Sequence, residues 1–123
     1  MPARLQTVTP LLPAGASLDA ALALYVGGLG FALVWRDGDM AGIARDGVAF
    51  NLVVNSETAW AGNASFSIGV DGLEALHAEY RMLPLRVGPL EVKPWGRREF
   101  HLIVPPGVCL QFHAAARGGL AGA

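Results

Sequence analysis

Residues 94–112, PWGRREFHLIVPPGVCLQF, leave this chain few architectures to choose from. Phe100, Leu102 and Val104 alternate with Glu99, His101 and Ile103, a period of two that marks a strand with two unlike faces. Pro105, Pro106 and Gly107 supply a turn, because proline presets φ and glycine accepts positive φ. Val108, Leu110 and Phe112 then alternate with Cys109, Gln111 and His113. The stretch reads as a β-hairpin that closes a core.

Going back to the start, residues 5–12 read as a first strand, which Pro10 and Pro13 confine to an edge or a bulge. Ser17 is a helix N-cap, and Leu18, Leu22 and Tyr25 follow at helical spacing until Gly27 and Gly28 end the run. Residues 31–36 form a strand, Asp37 and Gly38 a tight turn, and residues 40–45 pair back. Asp46 and Gly47 make a second turn before Val48, Phe50, Leu52 and Val54 alternate with Ala49, Asn51, Val53 and Asn55. The order is β-α-β-β-β. A polar loop over residues 55–63, carrying Trp60, separates this module from a second one. There Phe66, Ile68 and Val70 mark a strand, and Leu73, Leu76, Tyr80 and Leu83 a helix stopped by Pro84. A weaker strand over residues 85–92 is bent at Gly88 and Pro89, and the hairpin completes the module. The expected fold is α+β. Two βαβββ modules, about residues 5–55 and 64–113, form a curved mixed sheet or cup in a single domain, followed by a flexible tail over residues 114–123.

Charge and composition remove several functions. Nine Lys and Arg against ten Asp and Glu offer no basic field for phosphates, so nucleic acid is not expected as a partner. The uncharged run over residues 20–35 is shorter than a bilayer span, and three glycines interrupt it, so no membrane association is expected. No secretion signal is evident at the N-terminus, so a cytoplasmic protein is expected. The single Cys109 excludes an intrachain disulfide and a cysteine-based zinc cluster. With 53% hydrophobic and only 15% charged residues, some apolar surface is expected to be covered by a partner subunit.

In this frame the chain resembles the vicinal oxygen chelate superfamily, the glyoxalase, bleomycin-resistance and dioxygenase group, and within it the bleomycin-resistance proteins. The resemblance rests on PWGRREF, a Pro-Gly turn and CLQF in residues 94–112, on LYVGGLGF in residues 24–31, on RDGVAFNL in residues 45–52, and on GLEALHAEY in residues 72–80. Pro105, Pro106, Gly107 and Val108 depart from the Asp-Pro and Gly-Asn turn of that group. The resemblance implies a homodimer, and in similar proteins the N-terminal strand is exchanged between subunits, with Pro10 a candidate crossing point.

Metal-dependent members place His, Gln or Glu on strands facing the cup. The matching positions here hold Thr7, Val8, Thr9 and Pro10 on the first strand, then Asn51, Ser65 and Gln111. A catalytic divalent ion needs about three His or carboxylate ligands, so neither a metal nor another cofactor is expected. His77 reads as a helix-boundary residue, while His101 and His113 share the polar strand parity.

A concave site without metal binds by stacking and a few hydrogen bonds. The candidates are Trp35, Asn51, Trp60, Ser65, Ser67, Trp95, Arg98, His101 and Gln111. Trp60 reads as a stacking residue on a loop, or else a loop anchor or dimer contact. Trp35 reads as core or pocket. Arg98 reads as orienting a ligand or as an ion pair with Glu99. Asp37 and Asp39 read as a solvated hairpin or a rim for a cationic ligand, but a net charge of −1 gives weak steering. The sequence points to a binding protein for a small aromatic or amphipathic molecule, bleomycin-like antibiotics included, held at a dimer crevice. The alternative is a metal-dependent glyoxalase-like lyase or isomerase, thiol transferase or dioxygenase.

Overall fold

The computed structural model describes residues 2–115 as two compact units, residues 2–56 and 57–115. The fold is α+β with two mixed sheets, and each unit contains the β-α-β-β-β order expected from the sequence, with one more helix and one divided strand in the second.

In the first unit, β1 (Leu11–Pro13) runs parallel to β4 (Val48–Val53), and β3 (Met40–Arg45) and β2 (Ala32–Asp37) follow antiparallel, giving the order β1-β4-β3-β2. Helix α1 (Leu18–Leu22) starts where the Ser17 hydroxyl accepts the Ala20 amide proton at 3.1 Å. It widens into a π-helical turn over Ala23–Gly28, closed by the Leu29 amide donating to the Leu24 carbonyl at 2.8 Å. The Arg45 guanidinium then donates to the Leu29 carbonyl at 2.7 Å and lies against Gly30, whose φ of +82° suits only glycine. Leu18, Leu22 and Tyr25 are buried, as are Leu12, Ile43, Phe50 and Leu52 from the strands. Strand alternation therefore leaves Asn51, Ala49 and Gly42 on the opposite face.

In the second unit, β5 (Ser65–Gly69) runs parallel to β9 (Val108–Ala115), which pairs antiparallel with β8 (Arg97–Val104). The short β6 (Arg86–Val87) and β7 (Glu91–Val92) both pair with β8. Helix α3 (Leu73–Tyr80) lies with the strands' apolar side: Tyr80 meets Phe112 edge-on at 5.5 Å, and Phe112 stacks on Phe100 at 5.2 Å. His77 packs against Phe100 at 4.8 Å and donates to the Gly88 carbonyl at 3.0 Å, so it ties the helix to the segment between β6 and β7.

Four sequence expectations about elements change. No strand covers residues 5–10, of which residues 5–9 are exposed; the chain joins the sheet only at Leu11, because Pro10 has no N–H to give and offers its carbonyl to Asn51 at 2.8 Å. The expected loop over residues 55–63 contains helix α2 (Thr58–Asn63), in which the Asn63 amide donates back to the Ala59 carbonyl at 2.8 Å. The expected strand over residues 85–92 is divided into β6 and β7 around Gly88 and Pro89. Ala114 and Ala115, expected in the tail, extend β9; the rest of that tail lies outside the described residues.

Candidate functional site

Each sheet buries one face and leaves the other open, and the candidate residues fall mainly on the open faces. On the first sheet, Gly42 faces Asn51 on one side and Trp35 on the other. A bulge at Val34 shifts the register so that Trp35, rather than Val34, stands opposite Gly42. The indole covers the glycine: a methyl group on Gly42 would overlap its nitrogen edge. Beside this contact lies a hollow of about 250 Å³, lined by Thr9, Val34, Trp35, Gly42, Ala49 and Asn51 together with Ile43 and Phe50. Trp35 stays 40% exposed and so has a free surface against which a planar group can stack.

On the second sheet, Ser67 and His101 flank Gln111 in register on the two neighbouring strands. The Gln111 amide nitrogen donates to the Ser65 hydroxyl at 2.9 Å, and the Ser67 hydroxyl donates to the Gln111 carbonyl oxygen at 3.3 Å. The His101 Nε2 donates to Glu99 at 2.8 Å. Glu99 is 2% exposed, a carboxylate in a position strands normally give to apolar groups. Burial pushes its carboxyl up, but the hydrogen bond from His101 and the charges of Arg97, His101 and Lys93 outweigh that and hold it below the usual range. One Glu99 oxygen and the Arg97 Nε face each other at 3.6 Å, both buried and without a hydrogen bond. His113, opposite Glu99, is held below the usual histidine range by burial and by Arg97, with Glu99 opposing.

The remaining candidates are placed elsewhere. Arg98 lies on the face shared with Phe100; it pairs with Glu74 of α3 and donates to the Ala115 carbonyl at 3.1 Å. It is Arg97 that neighbours Glu99, since adjacent strand residues face opposite ways. Trp60 is half-buried on α2, and Trp95 is 66% exposed in the turn between β7 and β8. Among the described residues no three His, Cys, Asp or Glu side chains cluster to hold a metal ion. No helix among them is long and apolar enough to cross a membrane. Gly42 and Glu99 were not among the sequence candidates. Period-two parity with Gln111 and His101 would have pointed to Glu99, whereas Gly42 depends on the bulge.

No family model and no curated protein matches the sequence. Solved structures do. A bleomycin-binding protein complexed with bleomycin superposes with a TM-score of 0.78 at 22% identity, covering 89% of this chain and 98% of that one. The bleomycin-binding protein from bleomycin-producing Streptomyces verticillus, complexed with copper(II)-bleomycin, gives 0.75 at 24% identity, covering 91% and 99%. A transposon-encoded bleomycin resistance determinant gives 0.80 at 21% identity, covering 90% and 98%. The chain has the bleomycin-resistance/glyoxalase fold. That is the fold implied by the sequence resemblance, and it leaves the ligand to be argued from the site.

Proposed function

We propose that this chain is a bleomycin-resistance-like member of the vicinal oxygen chelate superfamily. It sequesters an aromatic or amphipathic small molecule, with bleomycin-type antibiotics as the leading class, in crevices between two subunits and without a metal cofactor. The observation that carries the reading is the Trp35–Gly42 contact. A glycine that admits an indole, a hollow beside it and Asn51 at its wall together form a stacking surface with one polar anchor. A core tryptophan would be covered; this one is open. The positions that would carry metal ligands hold Asn51, Ser65 and Gln111, which suit hydrogen bonding better than divalent coordination. Leu5 and Val8 are exposed in the segment before β1, and Leu33 and Val34 on β2, which supports a covering second subunit.

Tryptophan emission titrated with bleomycin and with copper(II)-bleomycin tests the reading. A saturable change that Trp35→Phe abolishes is expected. No change at saturating drug removes bleomycin, and no change with a wider panel of aromatic metabolites overturns the binding role. Stoichiometric metal in the purified protein, lost together with an isomerase, thiol-transferase or dioxygenase activity on chelation, would overturn the metal-free reading.

A further inference from the structure

The open face of the second sheet carries a set of hydrogen bonds whose directions are forced by atom type. The Gln111 amide nitrogen has no lone pair to offer, so Ser65 must accept from it. The Gln111 carbonyl oxygen has no proton, so Ser67 must donate to it. Consequently the Ser65 proton remains available while the Ser67 proton is used. Two serines two residues apart on one strand, and both exposed, thus present opposite polarity: Ser65 offers a donor and Ser67 offers lone pairs. The second Gln111 N–H adds another donor beside Ser65.

A group that recognises this surface must carry an acceptor and a donor side by side. A carboxylate has no donor for Ser67. A ketone or ether likewise lacks the donor. A carboxamide supplies both. We propose that Ser65, Gln111 and Ser67 form a carboxamide-recognition site, so that the ligand of this protein carries a primary or secondary amide. The proposal rests on the small-molecule-binding reading above and narrows it to a substrate class.

The test uses the full-length protein, isotope-labelled, with benzamide, benzoate and acetophenone at matched millimolar concentrations. Side-chain and backbone resonances are followed by nuclear magnetic resonance. Benzamide is expected to shift the Gln111 side-chain amide together with the Ser65 and Ser67 amides, and benzoate and acetophenone to leave them unmoved. Gln111→Glu makes both serines donate inward, and it is expected to reverse the preference from benzamide to benzamidine. Equal shifts from benzamide and benzoate overturn the proposal. So do shifts confined to Trp35 with none at Gln111, but that result leaves the binding role standing. Silence toward all three probes, in a protein whose tryptophan emission still responds to bleomycin, also overturns it. Silence in both assays overturns the binding role as well.

Discussion

Glu99 shows how much one side chain can hold in a sheet of this size. Its carboxylate is buried yet kept ionised by His101, Arg97 and Lys93, so its folded pKa lies below its unfolded value. The stability it contributes is present above the unfolded carboxylate range, near pH 4.3, and is lost as pH falls through the folded value. Glu99→Gln is therefore expected to lower stability at neutral pH by roughly 1–3 kcal/mol and to flatten the acid limb of a urea-unfolding series. His113 acts in a higher window. Its folded pKa is also depressed, so its neutral form is favoured in the fold, and stability declines as pH drops below about 6.5. His113→Gln should remove that decline while leaving the loss in stronger acid, and the two variants together separate the windows. Gly42→Ala is a different probe. The added methyl must displace the Trp35 indole, at a cost of about 1–3 kcal/mol if the strand holds its place. In a background with Trp60 and Trp95 replaced by phenylalanine, the remaining emission should shift to the red. Unchanged emission would mean that the indole does not rest on Gly42. Part of this was readable in advance: alternation alone sends Arg98 and Glu99 to opposite faces, which excludes the pair first considered for them. The Trp35–Gly42 contact was not readable, because strict alternation would pair Gly42 with Val34 and only the bulge changes that.

The elements follow the sequence closely wherever the signal is local. Ser17 caps α1 as its residue type dictates, and Ser17→Ala should cost about 1 kcal/mol in chemical denaturation. The hairpin of β8 and β9 forms in full register from Arg97↔Ala115 to Val104↔Val108, because both strands carry clean alternation up to the turn. Phe100 stands at the centre of its aromatic cluster, and Phe100→Ala should cost roughly 3–5 kcal/mol in the same assay. The misses come where local signal competes with context. Residues 5–10 carry β-formers such as Thr7, Val8 and Thr9, but a strand needs a partner, and no strand pairing begins before Leu11. Residues 55–63 read as a loop because Asn55, Ser56, Glu57 and Thr58 are polar in succession, and a helix of six residues is close to the smallest element a sequence pattern can mark.

Across the molecule, the repeated module was legible from element order alone, and the topology reproduces it except that the short β6 and β7 stand in the second sheet where the first has β2. In each sheet the first strand runs parallel to the last, which then leads antiparallel to the strand before it. Element order survives substitution better than side-chain identity does, so two halves of different sequence can share one wiring. Pairing between subunits is a separate matter, governed by what remains uncovered. Light scattering at micromolar concentration should give the mass of a dimer, and deletion of residues 2–9, with Leu5 and Val8, should shift it toward monomer. A full-length protein that stays monomeric under those conditions would sink the shared-crevice site while leaving the stacking hollow of the first sheet available to a ligand.

The bulge at Val34 has a consequence for how this protein behaves before it meets any partner. β2 ends its sheet, and all six of its residues are exposed, Leu33, Val34 and Trp35 in succession. A flat edge of that composition is a template for adding strands from other molecules. The bulge bends the strand and breaks the even row of amides, while Arg36 and Asp37 put charge at its end. The irregularity that brings the indole over Gly42 is therefore also expected to guard against fibre growth. Straightening β2 by deleting Val34 would be expected to turn a soluble preparation into one that aggregates through this edge.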